Sequence, residues 1–186
     1  MNKLSLGNLA VTTISNPAQA ARELILLKPG REALWLAFFL AVVLGSLLQL
    51  GIDVSESSTG TVENNEPIPL VLLKYAGTLL LSIVAFTFIG RLLGGTGTFE
   101  SIMVLTIWLQ FLQIAAMLLM LVLTPTFPFL MIMVLVATAI LSLYITLHFL
   151  NEAHQFGSLL KSFGVILLSA LAALPFILML TPSAPV

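Results

Sequence analysis

Chemistry in this chain of 186 residues has few places to come from, because only seven positions are lysine or arginine and eight are aspartate or glutamate. Three of the most reactive side chains sit together: His148, Glu152 and His154. His148 and Glu152 are four residues apart, so a helix running through them presents both on one face. His154 comes two residues after Glu152 and falls off that face. A metal centre gathers three or four converging ligands, and this trio places two together. Glu152 is therefore expected to accept a hydrogen bond from His148, or to pair with Arg91 or Lys161 at the same level. No cofactor is expected.

Uncharged polar residues supply the other pattern. Thr106, Gln110 and Gln113 recur at i, i+4, i+7, and Thr138, Ser142 and Thr146 at i, i+4, i+8, which puts each set on one helical face. Inside hydrocarbon an unpaired amide costs several kcal/mol, so both glutamines should face protein or water. The plainer reading is interhelical adhesion, at about 0.6 kcal/mol per bond on average. The sharper one is a polar path for a small solute, which the lack of a deep charge disfavours. Lys74 stands about 9 Å along its helix at 1.5 Å per residue. From there it could contact a lipid headgroup or a substrate, snorkel towards the interface, or pair with the acidic loop before its helix. No serine has a neighbouring base, and no acidic pair lies in an apolar stretch. Gly94-Gly95-Thr96-Gly97 lacks the lysine of a phosphate-binding loop; its glycines read as a helix stop before a Thr96 or Thr98 cap. The chain has no cysteine, which excludes disulfides and thiolate catalysis.

The elements that carry these residues follow from composition. Hydrophobic residues make up 59% of the chain and charged residues 8%, with a mean hydropathy of +1.13. A soluble domain carries roughly 25% charged residues, so too little polar surface exists here to cover a globule in water. Spanning a bilayer takes about 20 apolar residues, and five stretches qualify: 33–50, 68–89, 102–123, 129–150 and 159–180. The expected fold is an all-α, polytopic transmembrane bundle of five helices, with no strands. Between the spans lie an acidic loop from Gly51 to Pro67, the glycine turn, the proline hinge Thr124-Pro125-Thr126-Phe127-Pro128 and a polar link from Asn151 to Ser158. Residues 1–32 form an N-terminal segment, 33–180 the membrane domain and 181–186 a short tail. Asn16 before Pro17 marks a helix start, and the charged, apolar stretch to Leu27 is expected to lie along the membrane surface. Ala33, Ala37, Ala41 and Gly45 form a stripe of small residues suited to close helix approach. Lys3, Arg22, Lys28, Arg31, Arg91 and Lys161 fall on one side of such a bundle and Lys74 alone on the other. The rule that basic residues concentrate inside then places the N-terminus in the cytoplasm and the C-terminus outside.

The stretch from Phe88 to Phe99, reading Phe-Ile-Gly-Arg-Leu-Leu-Gly-Gly-Thr-Gly-Thr-Phe, together with Asn16-Pro17, five spans and Leu143-Tyr144-Ile145-Thr146-Leu147, resembles the bacterial branch of the Yip1 domain family. The resemblance runs from about Asn16 to Leu180. It departs at Trp108-Leu109-Gln110-Phe111, where many members carry a proline, and in lacking the acidic, tyrosine-containing motif of eukaryotic members. Those members bind Rab GTPases and shape vesicle membranes, a role that the short segment before the first span does not support here. What the resemblance implies is an integral protein of a bacterial inner membrane with little chemistry of its own. The expectation is a non-enzymatic protein that organises membrane or partner proteins. Its partners would be membrane lipids and a second copy or another membrane protein, with no nucleic acid. A small-solute transporter or channel, or an accessory subunit of a membrane complex, is the alternative.

Overall fold

The computed structural model describes residues 5–57, 67–123 and 130–180, and all seven of its elements are helices. They are α1 (Leu6–Ser15), α2 (Pro17–Leu26), α3 (Arg31–Ser57), α4 (Ile68–Leu92), α5 (Phe99–Leu123), α6 (Leu130–His154) and α7 (Leu159–Leu180). Among the described residues, Arg31–Gly51, Ile68–Leu92, Phe99–Val122 and Ile132–His154 are long and apolar enough to cross a membrane. The 22 residues of α7 reach about 33 Å at 1.5 Å per residue, enough to span as a fifth helix. The outward side chains fit a lipid solvent: Leu36 is 70% exposed, Ile132 72% and Leu160 78%. In water such side chains would lose roughly 1.5–3 kcal/mol each relative to burial.

From α3 to α6 the helices alternate in direction, as the pairs Arg31–Glu100, Arg91–Gly97, Tyr75–Gln110, Gly97–His154 and Gln113–Ser142 require. α4 packs on α3, α5 and α7, while α6 packs on α5 and α7. The polar connections are shorter than the sequence suggests. α3 continues through Gly51 to Ser57, because Gly51-Ile52-Asp53-Val54-Ser55-Glu56 contains no proline and extending an existing helix costs little. Its side chains beyond Gly51, and Glu63, Glu66, Lys3, the proline hinge 124–128 and the tail 181–186, lie outside the described residues.

Two short helices precede the bundle where the sequence suggested one. Asn16 caps α2 as expected, its Oδ1 accepting from the Gln19 amide at 3.2 Å. α1 was not anticipated; Leu9 and Thr13 make its buried face, and the Trp108 indole donates to Thr13 Oγ1 at 2.9 Å. Nor does α2 simply rest on a membrane surface. It docks across α6 and α5, with Ala20 and Ala21 fully buried and Leu24 nearly so. The small alanines let the helices approach closely.

Packing is uneven along the bundle. Leu34, Phe38, Ile83, Ile102, Met103, Phe149 and Val165 are all buried, and all lie towards the end where α1 and α2 dock. Towards the opposite end cavities open between the described helices, and a separate one lies at the periphery of the clasped end, between the α2–α3 connection and the start of α5.

Candidate functional site

The tight end is organised by His154, the last residue of α6, whose side chain is fully buried. The Gly97 amide donates to its Nδ1 at 3.1 Å, so that nitrogen carries no proton. Nε2 therefore bears the proton and donates to the Phe86 carbonyl, 3.1 Å away. The backbone carbonyl of His154, orphaned at the helix end, accepts from the Thr96 amide at 3.1 Å. Arg91 Nε closes the ring by donating to the Gly97 carbonyl at 3.0 Å.

Glycine makes this clasp sterically feasible. A Cβ at Gly90 would overlap the imidazole, one at Gly95 would come 2.5 Å from Nδ1, and one at Gly97 2.7 Å from Cε1. Gly94 instead serves the backbone, with φ at +86°. It ends α4 with paired bonds from Gly95 to Gly90 (2.9 Å) and from Gly94 to Arg91 (3.0 Å), a Schellman arrangement. Thr98 then caps α5, its Oγ1 accepting from the Ser101 amide at 3.1 Å. The cap matches the expectation for this turn, whereas the spacing of His154, off the Glu152 face, gives no sign that it sits at the turn's centre.

The expected cluster of Arg91, His148, Glu152 and Lys161 does not gather. Glu152 pairs with Arg22 of α2, Nη1 lying 3.1 and 3.2 Å from its two carboxylate oxygens. His148 packs edge-on against Tyr144 at 4.7 Å. Lys161 sits 5.9 Å over the Phe156 ring, which itself stacks on His154 at 5.0 Å. The docking of α2 across α6 brings in an arginine that helix periodicity alone does not place there. Arg31 adds an exposed pair with Glu100 at 3.3 Å. Among the described residues no group of three or more His, Asp or Glu side chains is arranged to hold a metal.

The polar stripes meet in the bundle interior. Gln110 Nε2 donates to the Tyr75 hydroxyl at 2.5 Å, joining α5 to α4. Gln113 Nε2 donates to Ser142 Oγ at 2.7 Å, joining α5 to α6, and Thr146 bonds back to the Ser142 carbonyl at 2.7 Å. Tyr75 was not foreseen; its signal was Gly45, the last member of the small-residue stripe, where a Cβ would overlap the phenol. That stripe therefore packs inside the chain at Gly45 and at the fully buried Ala41, whereas Ala33 is exposed.

Around these bonds lie three neighbouring cavities. The first, of about 540 Å³, is lined by Lys74, Gln49, Tyr75, Thr78, Ser82, Gln110 and Gln113 among others. A second of about 230 Å³ shares Ser82, Gln110 and Gln113, takes in Thr106, and ends among the apolar residues Ile102, Phe149 and Leu150. The third, of about 520 Å³, is mostly apolar and includes Thr138, Ser142 and Thr146. All six stripe residues thus line cavities, while four of their side chains also make the bonds above.

A family model for the Yip1 domain matches residues 11–180, from within α1 to the end of α7. No curated protein and no solved structure matches the chain. With the match covering most of its length and all five membrane helices, the chain belongs to the Yip1 domain family.

Proposed function

We propose that this is a non-enzymatic membrane protein of the Yip1 type that organises lipids or partner proteins around a fixed bundle. It would sit in a bacterial inner membrane with its N-terminus in the cytoplasm. One observation carries the reading: both ring nitrogens of the buried His154 are engaged by backbone groups. A histidine held this way clamps helices together and has no nitrogen left for general acid–base work. Gln110, Gln113 and Trp108 likewise bind other helices, so the polar groups serve architecture.

The cavities favour a second reading, a small-solute transporter or channel. Against it, the route from the polar cavity towards the His154 end meets the buried side chains of Ile102, Phe149 and Leu150. Flux measured with purified protein in liposomes, over ions and small metabolites, separates the two. The organising role predicts no flux above that of empty liposomes. Solute movement abolished by Gln110→Leu or Gln113→Leu would overturn it. Cross-linking with mass spectrometry in native membranes should then capture a recurring neighbour, either a second copy or another membrane protein. A partner that co-purifies in fixed stoichiometry would make the chain an accessory subunit.

A further inference from the structure

The looser end of the bundle holds a cavity with an unusual wall for a membrane protein. Lys74 lies seven residues into α4, and Gln110 and Gln113 lie near the middle of α5. Polar lining therefore runs from roughly headgroup depth to about the bilayer centre, taking 1.5 Å per residue. Polar groups at that depth need polar company, supplied by protein, water or a ligand head.

The donors lining this cavity define the ligand. The Tyr75 oxygen accepts from Gln110, which frees its own proton to donate. The lysine ammonium, the phenol and the side-chain amides of Gln49 and Gln110 all line the same cavity. Among the described residues the lining holds one cation beside neutral donors, and an ammonium with three protons can serve a phosphate as a point-charge partner alongside another contact. Gln113 also lines the third cavity, whose remaining wall is largely apolar and includes Met117, Met120 and Leu135. Flexible methionines adapt to irregular apolar chains. A polar chamber adjoining an apolar one matches an amphiphile better than a free ion.

We infer that this cleft binds one anionic phospholipid from the leaflet at the Lys74 end. Its phosphate-bearing head sits beside Lys74 and Tyr75, and one acyl chain continues past Gln113 along α5 and α6. The site goes beyond the organising role proposed above and is independent of whether a protein partner exists.

Native mass spectrometry of the delipidated full chain in detergent tests the inference, with phosphatidylglycerol, phosphatidylcholine and glycerol 3-phosphate titrated separately. Phosphatidylglycerol should be retained at one per chain, well above phosphatidylcholine. Lys74→Gln should weaken it roughly tenfold, on the scale of one charge-assisted hydrogen bond. Lys74→Arg should restore it, and Lys161→Gln at the opposite end should leave it unchanged. Ala116→Phe, which fills the apolar cavity without touching the charge, should also reduce retention. That variant keeps the test decisive if Lys74→Gln fails to fold, as monitored by thermal unfolding. Retention unaffected by the folded variants, or equal for both lipids, would overturn the site. Glycerol 3-phosphate bound as tightly as phosphatidylglycerol would overturn the lipid as its source.

Discussion

A histidine ring can remain buried in a membrane bundle only when both nitrogens are matched, and the Gly97 amide and the Phe86 carbonyl do this for His154. Truncation should be costly. His154→Ala removes a packed ring, for which large-to-small changes cost about 2–5 kcal/mol, and orphans the Gly97 amide as well. Gly90→Ala acts from the other side by forcing a methyl into the ring, at about 1–3 kcal/mol for overpacking. Because the two changes act on one contact, they should not add. Once the imidazole is gone the extra methyl has room, and the double variant should cost at least about 1 kcal/mol less than the sum of the singles. Unfolding of all four proteins in detergent measures this, and strict additivity would show that Gly90 is not reserved for His154. The glycines at 90, 94, 95 and 97 were legible as a helix stop and as the Yip1-like turn. Three more glycines than the one left-handed position requires were a hint of close approach. The group approaching is a distant residue, and no spacing along the chain reveals it.

Among the elements, α2 illustrates how far local rules reach. Its start is written in Asn16-Pro17 and its stop in Pro29-Gly30, and the Asn16 cap forms as those residues dictate. Its destination is not written locally, because an amphipathic helix can satisfy its apolar face on lipid or on protein. Here α6 and α5 take that face, and Glu152 pairs with Arg22 rather than with His148, Arg91 or Lys161. The two contacts should differ in weight. Arg22 is 57% exposed, so Arg22→Ala should cost under about 1 kcal/mol, as exposed ion pairs do. Ala21 is fully buried, and Ala21→Leu should cost about 1–3 kcal/mol by overpacking and lift α1 and α2 from the bundle. Limited proteolysis in detergent should then release the N-terminal segment from Ala21→Leu far faster than from Arg22→Ala. Equal rates would mean that charge, not packing, holds the helix down.

For the molecule as a whole, the asymmetry of packing and the asymmetry of charge run the same way. Arg22, Lys28, Arg31, Arg91 and Lys161 gather at the clasped end, on α2, before and at the start of α3, at the end of α4 and near the start of α7, while Lys74 lines the cleft at the other. The number of long apolar helices and this charge division were legible because a bilayer imposes one length on every span and one side on most basic residues. The cleft was not, since cavities depend on how five apolar helices diverge, and composition carries no record of that. Orientation is the remaining link between structure and setting, and the absence of cysteine makes it directly measurable. Ser57 ends α3 at the cleft end, and Ser158 precedes α7 at the clasped end. In intact cells, Ser57→Cys should react with a membrane-impermeant thiol reagent, and Ser158→Cys should react only after lysis. That pattern puts the clasp in the cytoplasm and opens the cleft to the outer leaflet. The reverse would turn the bundle over, set the basic cluster against the positive-inside rule, and make the inner leaflet the source of any lipid beside Lys74.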